Sequence, residues 1–164
     1  AGQAFRDALA RDPGYIPAWI GLAELRRLTV GGEAAAVATL RLALETLPAS
    51  PELHYALGLA LHRQGETTAA LAALAQAWRL GPSEGALAYG YALALDAAGN
   101  RGQAIELLRA GLEVAPNDRE ILYGLAALLV AQGRQDEALA YARRLAELEP
   151  ENPTMQDILR QLGG

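Results

Sequence analysis

Ala- and Leu-rich stretches of the chain place apolar residues at i, i+3, i+4 and i+7, the spacing of a helix with one buried face. These stretches are punctuated at a fixed period. Prolines stand at Pro13, Pro48, Pro82, Pro116 and Pro150, separated by 35, 34, 34 and 34 residues, and glycines at Gly31, Gly65, Gly99 and Gly133, each separated by 34. One apolar run lies between each Gly and the next Pro, and another between each Pro and the next Gly, which predicts one helical hairpin per period. The Gly ends a helix because it is free to take a left-handed turn. The Pro ends the other because it cannot continue the hydrogen-bond ladder.

Aligned on the prolines, the chain divides into full units 16–50, 51–84, 85–118 and 119–152. Residues 1–15 read as the second helix of a partial unit and 153–164 as a closing helix, within a single array over 1–164. Small residues recur in the second helices at Ala36, Ala70, Ala104 and Ala138, where a methyl lets neighbouring helices approach, and in the first helices at Ala23, Gly58, Ala92 and Ala126. Large apolar residues fill Leu22, Leu57, Tyr91 and Leu125 in the first helices, and Phe5, Leu40, Leu74 and Leu108 in the second. A period in this range, held in register over the whole chain, is the signature of a helical repeat array.

In this pattern the chain resembles the tetratricopeptide repeat family, whose unit has 34 residues with small and large positions at fixed places. The departures are local. The family's Trp position holds Trp19 in the first unit and then His54, Ala88 and Leu122, and the late Ala position becomes Gly111 and then Leu145. Unit one carries one extra residue near Leu28 to Gly32, which predicts a loosened turn there. The resemblance implies an all-α, right-handed superhelical solenoid of helix-turn-helix repeats. Its concave face, lined by the first helix of each unit, is the usual binding surface.

Carried onto this sequence, the family's groove positions give four ladders. The first is Pro17, Glu52, Ala86 and Glu120; the second is Ile20, Tyr55, Tyr89 and Tyr123. The third is Glu24, Leu59, Leu93 and Ala127, and the fourth is Arg27, His62, Asp96 and Val130. The expected partner-binding residues are Ile20, Glu24, Arg27, Tyr55, Leu59, His62, Tyr89, Leu93, Asp96 and Tyr123. Tyr combines a flat apolar face with a hydroxyl that can bond a peptide backbone, at low conformational cost. The ladder therefore suits an extended or helical apolar or aromatic segment of a protein partner. The competing reading has these Tyr packing only between adjacent first helices. Family members that grip a C-terminal carboxylate use Lys, Arg and Asn on these ladders; here Tyr, Leu, Gly and Ala stand instead, including Gly21, Ala56, Gly90 and Gly124, which argues against a carboxylate clamp.

Composition narrows the function further. Hydrophobic residues make up 52% of the 164 and aromatics 5%, so the apolar mass is mostly Ala and Leu, a helix-favouring mixture. Fourteen basic residues, all Arg, face 19 acidic ones for a net charge of −5, the wrong sign for a nucleic-acid surface. No apolar run approaches the roughly 20 residues that span a bilayer. With no cysteine there is no thiolate nucleophile or Cys-held metal. His54 and His62 lie about 80° apart around one helix with about 12 Å of rise between them, too far to share a metal; His54 reads as a core residue and His62 as a groove or rim residue. Ser50 and Ser83 flank the inter-unit prolines, where they are expected to start helices as caps.

No metal, cofactor or catalytic residue is expected, and the chain reads as a non-enzymatic interaction scaffold. The alternative is a structural spacer or self-association module of a larger bacterial protein whose other domains carry the activity. The first helix lacks its own partner, which points to further upstream sequence or to a homodimer through that exposed face. The compartment, bacterial cytoplasm or periplasm, is not encoded in the pattern.

Overall fold

The computed structural model describes residues 2–29, 31–151 and 159. Among them the regular structure is entirely helical: α1 (Gly2–Arg11), α2 (Ile16–Thr29), α3 (Gly32–Thr46), α4 (Pro51–Arg63), α5 (Thr67–Leu80), α6 (Gly85–Ala97), α7 (Arg101–Val114), α8 (Arg119–Ala131) and α9 (Gln135–Leu148). The fold class is an all-α helical repeat.

The periodic prolines stop α3, α5, α7 and α9 at equivalent places. The C-caps Leu47, Gly81, Ala115 and Glu149 each precede a Pro and take φ of −128°, −131°, −127° and −131°. A residue before proline is pushed out of the helical region by clash with the ring, so the boundary is a local steric consequence of sequence. The periodic glycines do the complementary work. Gly65, Gly99 and Gly133 have φ of 85°, 82° and 78°, the left-handed conformation that costs other residues energy. Replacing Gly99 by Ala is expected to destabilise the chain by roughly 1 kcal/mol or more. Gly102, three residues on within α7, is exposed with open space around it, and Gly102→Ala is expected to stabilise by roughly 0.5–1 kcal/mol. Urea denaturation of both variants checks the opposite signs.

Contacts divide the chain into two compact units, Ala1–Gly81 and Pro82–Gly164. In the first, α1 to α5 pack around a core that includes Trp19, Val37, Leu40, Leu53 and Leu61, with Leu9 and Ile20 partly buried against it. Phe5 of α1 lies over Gly21, where a Cβ would sit 2.5 Å from its ring. In the second, α6 to α9 bury Leu95, Ile105, Leu108, Ile121, Leu125 and Leu129. All eight small positions are buried, from Ala36, Ala70, Ala104 and Ala138 to Ala23, Gly58, Ala92 and Ala126. At Gly58 the reason is steric: a Cβ would approach Leu74 Cγ to 2.6 Å and the Ala70 carbonyl to 3.3 Å.

Two local expectations are corrected. The extra residue of unit one does not lengthen its turn: α2 and α3 are 14 and 15 residues long, against 13 and 14 in each later hairpin. The insertion is taken up by the helices, and the turn uses two left-handed glycines, Gly31 and Gly32 at φ 123° and 61°. Ser50 caps α4, its Oγ accepting from the Leu53 amide at 3.2 Å, but Ser83 does not cap α6, whose N-cap is Glu84 without a side-chain bond. Asp118 takes the capping role for α8, accepting from the Ile121 amide at 3.0 Å. Most of the expected closing helix, including Pro153, Ile158 and Leu162, lies outside the described residues. Leu159 is described and packs against Leu122, Leu145 and Ala146.

Candidate functional site

In the second unit, α6 and α8 lie side by side. Residues four and seven apart share a helix face, so Tyr89, Leu93 and Asp96 line one side of α6, and Tyr123, Ala127 and Val130 one side of α8. The opposite sides are taken up by the core, with Leu87, Ala88 and Leu95 buried on α6 and Ile121, Leu122 and Leu125 on α8. The surface left over is apolar. Leu93 is 46% exposed, Tyr123 43% and Val130 42%.

Tyr89 behaves differently from Tyr123. Gly124 permits its ring to come close to α8: a Cβ there would meet Tyr89 Cδ2 and Leu108 Cδ1, each at 2.9 Å. Tyr89 is therefore half-buried, and this burial raises its phenol pKa, with Tyr123 and Glu120 adding to the shift. The Tyr89 and Tyr123 rings meet edge to face, with centroids 6.2 Å apart at 64°. Such pairs contribute roughly 0.5–1.5 kcal/mol beyond burial. Tyr89 thus packs and presents Tyr123 outward.

Asp96, at the far end of the same face, is tied down. Arg101 at the start of α7 donates from Nε to Asp96 Oδ1 at 2.6 Å and from Nη1 to the carbonyl of Ala131, at the end of α8, at 3.1 Å. It braces the α6–α7 turn against α8, and its charge is spent inside the protein.

The equivalent face of the first unit, on α2 and α4, is polar where the second is apolar. Glu24 pairs with Arg27 at 2.7 Å and with Arg63 at 3.5 Å, while Glu33 pairs with Arg63 at 2.9 Å and Arg27 at 3.7 Å. The four side chains link α2, α3 and α4 into one charge-balanced network, in which Glu33 Oε2 is buried without a hydrogen-bond partner. Ile20, Tyr55 and Leu59 on this face are half-buried, and His62 is exposed.

The two histidines are apart in role. His54 is half-buried and its Nε2 lies 2.9 Å from the carbonyl of Pro48, and Trp19, at the same repeat position, donates from Nε1 to the carbonyl of Pro13, also at 2.9 Å. In the last hairpin, where Leu122 holds that position, Arg144 donates instead to the carbonyl of Pro116. No group of three or more His, Cys, Asp or Glu residues able to hold a metal exists among the described residues, and no helix there is long and apolar enough to cross a membrane.

Sequence reasoning missed the residues that position α8. The Asp118 carboxylate sits where a Cβ on Gly85 would be, so Gly85 leaves room for the Asp118 cap beside the start of α6. An Asp immediately before the first apolar residues of a helix is a readable cap signal. The clasps by Arg101 and Arg144 span 30 and 28 residues and have no local signature.

Comparison with known proteins bears on this geometry. Curated protein sequences give no match. The chain resembles the crystal structure of TTC0263, a thermophilic TPR protein of Thermus thermophilus, at 26% identity and TM-score 0.73, over 98% of this chain and 88% of that one. It resembles YrrB, described as a TPR protein with an unusual peptide-binding site, at 23% identity and TM-score 0.68, over 99% and 83%. Yeast Tom70 shares the fold at 23% identity and TM-score 0.81, over 99% of this chain but 36% of its own length. One tetratricopeptide repeat family model matches residues 61–122 and 97–162, and a second matches residues 27–85. With such models covering most of its length and its helical hairpins in the same 34-residue register, the chain belongs to the tetratricopeptide repeat family, a family of protein-interaction modules that are generally non-catalytic scaffolds.

Proposed function

We propose that the chain is a docking module whose α6/α8 face holds an extended or helical apolar or aromatic segment of a partner protein. The observation that carries this reading is the exposure of Leu93, Tyr123 and Val130 together on one side of two adjacent helices whose other sides are buried. A rigid Tyr flanked by aliphatic side chains is the composition of an interface anchor. The peptide-binding site attributed to YrrB, a protein of the same fold, supports the reading. In the first unit the α2/α4 face, with Ile20, Tyr55 and Leu59 beside the paired Glu24 and Arg27 and near His62, is more polar and offers a binding surface of different chemistry. The packing of Tyr89 against Gly124 favours a purely structural role for that one ring, so the test spares it.

Peptides selected from a random display library against the full chain supply the probe. The double variant Leu93→Ala/Tyr123→Ala is expected to weaken a selected apolar peptide at least about thirtyfold, the loss of one interface anchor, with an unchanged far-ultraviolet circular dichroism spectrum. Undiminished binding by the folded variant would move the site elsewhere and leave the α6/α8 face as plain surface.

A further inference from the structure

Resting on the reading of the α6/α8 face as a docking surface, we infer that the segment it accepts carries a Lys or Arg side chain close to its apolar anchor, met by Glu120. All of the net charge of −5 falls in the second unit, with seven Arg against twelve acidic residues, whereas the first unit has seven of each. The face itself presents no free cation among the described residues. α6 contains no basic residue, and Arg119, the single one on α8, is drawn to Glu149 at 2.8 Å.

The acidic groups near this face differ in what they are doing. Asp96 is held by Arg101 and Asp118 by the Ile121 amide. Glu120 is exposed in the first turn of α8, three residues before Tyr123 and so on the same side of the helix, and it forms no ion pair among the described residues. Its counterpart in the first unit, Glu52 in the first turn of α4, is already engaged by the Ser50 hydroxyl at 2.7 Å. Glu84, the exposed N-cap of α6, adds a second carboxylate at the same end of the helix pair, again without an ion pair among the described residues. The field of Glu120 reaches the Tyr89 phenol, which places its charge beside the aromatic pair. An apolar strip with acidic charge at one end and no free positive charge complements an apolar segment with a basic flank and repels an acidic one. The charge would act on partner choice and association rate, leaving the Tyr and Leu contacts to supply most of the affinity.

Glu120 also complements the dipole of α8, a role that needs no partner. The two roles separate by experiment on the full chain. The probes are three acetylated and amidated synthetic peptides with the same leucine and phenylalanine anchor, flanked by arginines, by glutamines or by glutamates, titrated by fluorescence anisotropy. The arginine peptide is expected to bind about fivefold tighter than the glutamine one, the scale of one exposed ion pair. That advantage should shrink in about 1 M salt, where the screening length falls to about 3 Å. Glu120→Lys should remove the preference, whereas Glu113→Lys, the same charge change at a site on α7, should largely keep it. Equal binding of the three peptides, or equal effects of the two substitutions, would overturn the inference while Leu93→Ala/Tyr123→Ala still decides the docking surface. Binding of none of the three would overturn the inference, whatever the library selection yields.

Discussion

Leu129→Ala is expected to lower the unfolding free energy by about 2–5 kcal/mol, the range for removing a fully buried Leu from a core that relaxes only in part. The Leu129 side chain has no solvent exposure, and neither do those of Ile121, Leu122 and Leu125 on the same helix. Val130, the next residue, points the other way and is 42% exposed, so Val130→Ala should change stability by no more than about 0.5 kcal/mol. Comparing the urea midpoints of the two variants tests the facing of α8 directly. Similar losses would mean that α8 is rotated about its axis from the arrangement described.

Ala104→Leu is the second large effect. Ala104 is fully buried at the close approach of α7 to its neighbours, and the three carbons that Leu adds there force side chains off their rotamers or shift the helix. The expected loss is about 1–3 kcal/mol. Ala110, on the same helix, is exposed, and Ala110→Leu should cost under about 0.5 kcal/mol. The pair Ala70→Leu and Ala72→Leu repeats the contrast on α5, where Ala70 is buried and Ala72 exposed. Gln76 on the same helix would not serve as an exposed control, because it is half-buried and accepts a hydrogen bond from Arg79. Equal midpoint shifts within each pair would contradict the 34-residue register.

That register was legible because its causes are local. A pre-proline residue cannot stay helical, a left-handed turn selects glycine, and a close helix approach selects Ala or Gly, so each requirement leaves its own letter in the chain. The position of the Tyr ladder on the first helices was legible for the same reason. What each ladder residue does was less so. Tyr89 and Tyr123 occupy the same place in their repeats, yet Tyr89 packs against Gly124 of α8 and Tyr123 stands exposed, a difference of neighbours that the repeat position does not carry. Glu24, Arg27 and Asp96 read as groove residues and are engaged by Arg63, Glu33 and Arg101, partners that depend on long side chains reaching between helices. The Pro13 and Pro48 carbonyls receive Trp19 and His54, a shared role that the unlike residue types hide in the sequence.

The most direct test of the α6/α8 face is the amide and methyl chemical-shift map of the full chain titrated with a library-selected apolar peptide. The expected perturbations cluster on Leu93, Tyr123 and Val130, with Glu120 at the edge, and leave the buried faces of α7 and α9 little changed. Perturbations centred on α7 or α9 with those four residues unmoved would contradict the docking surface described here.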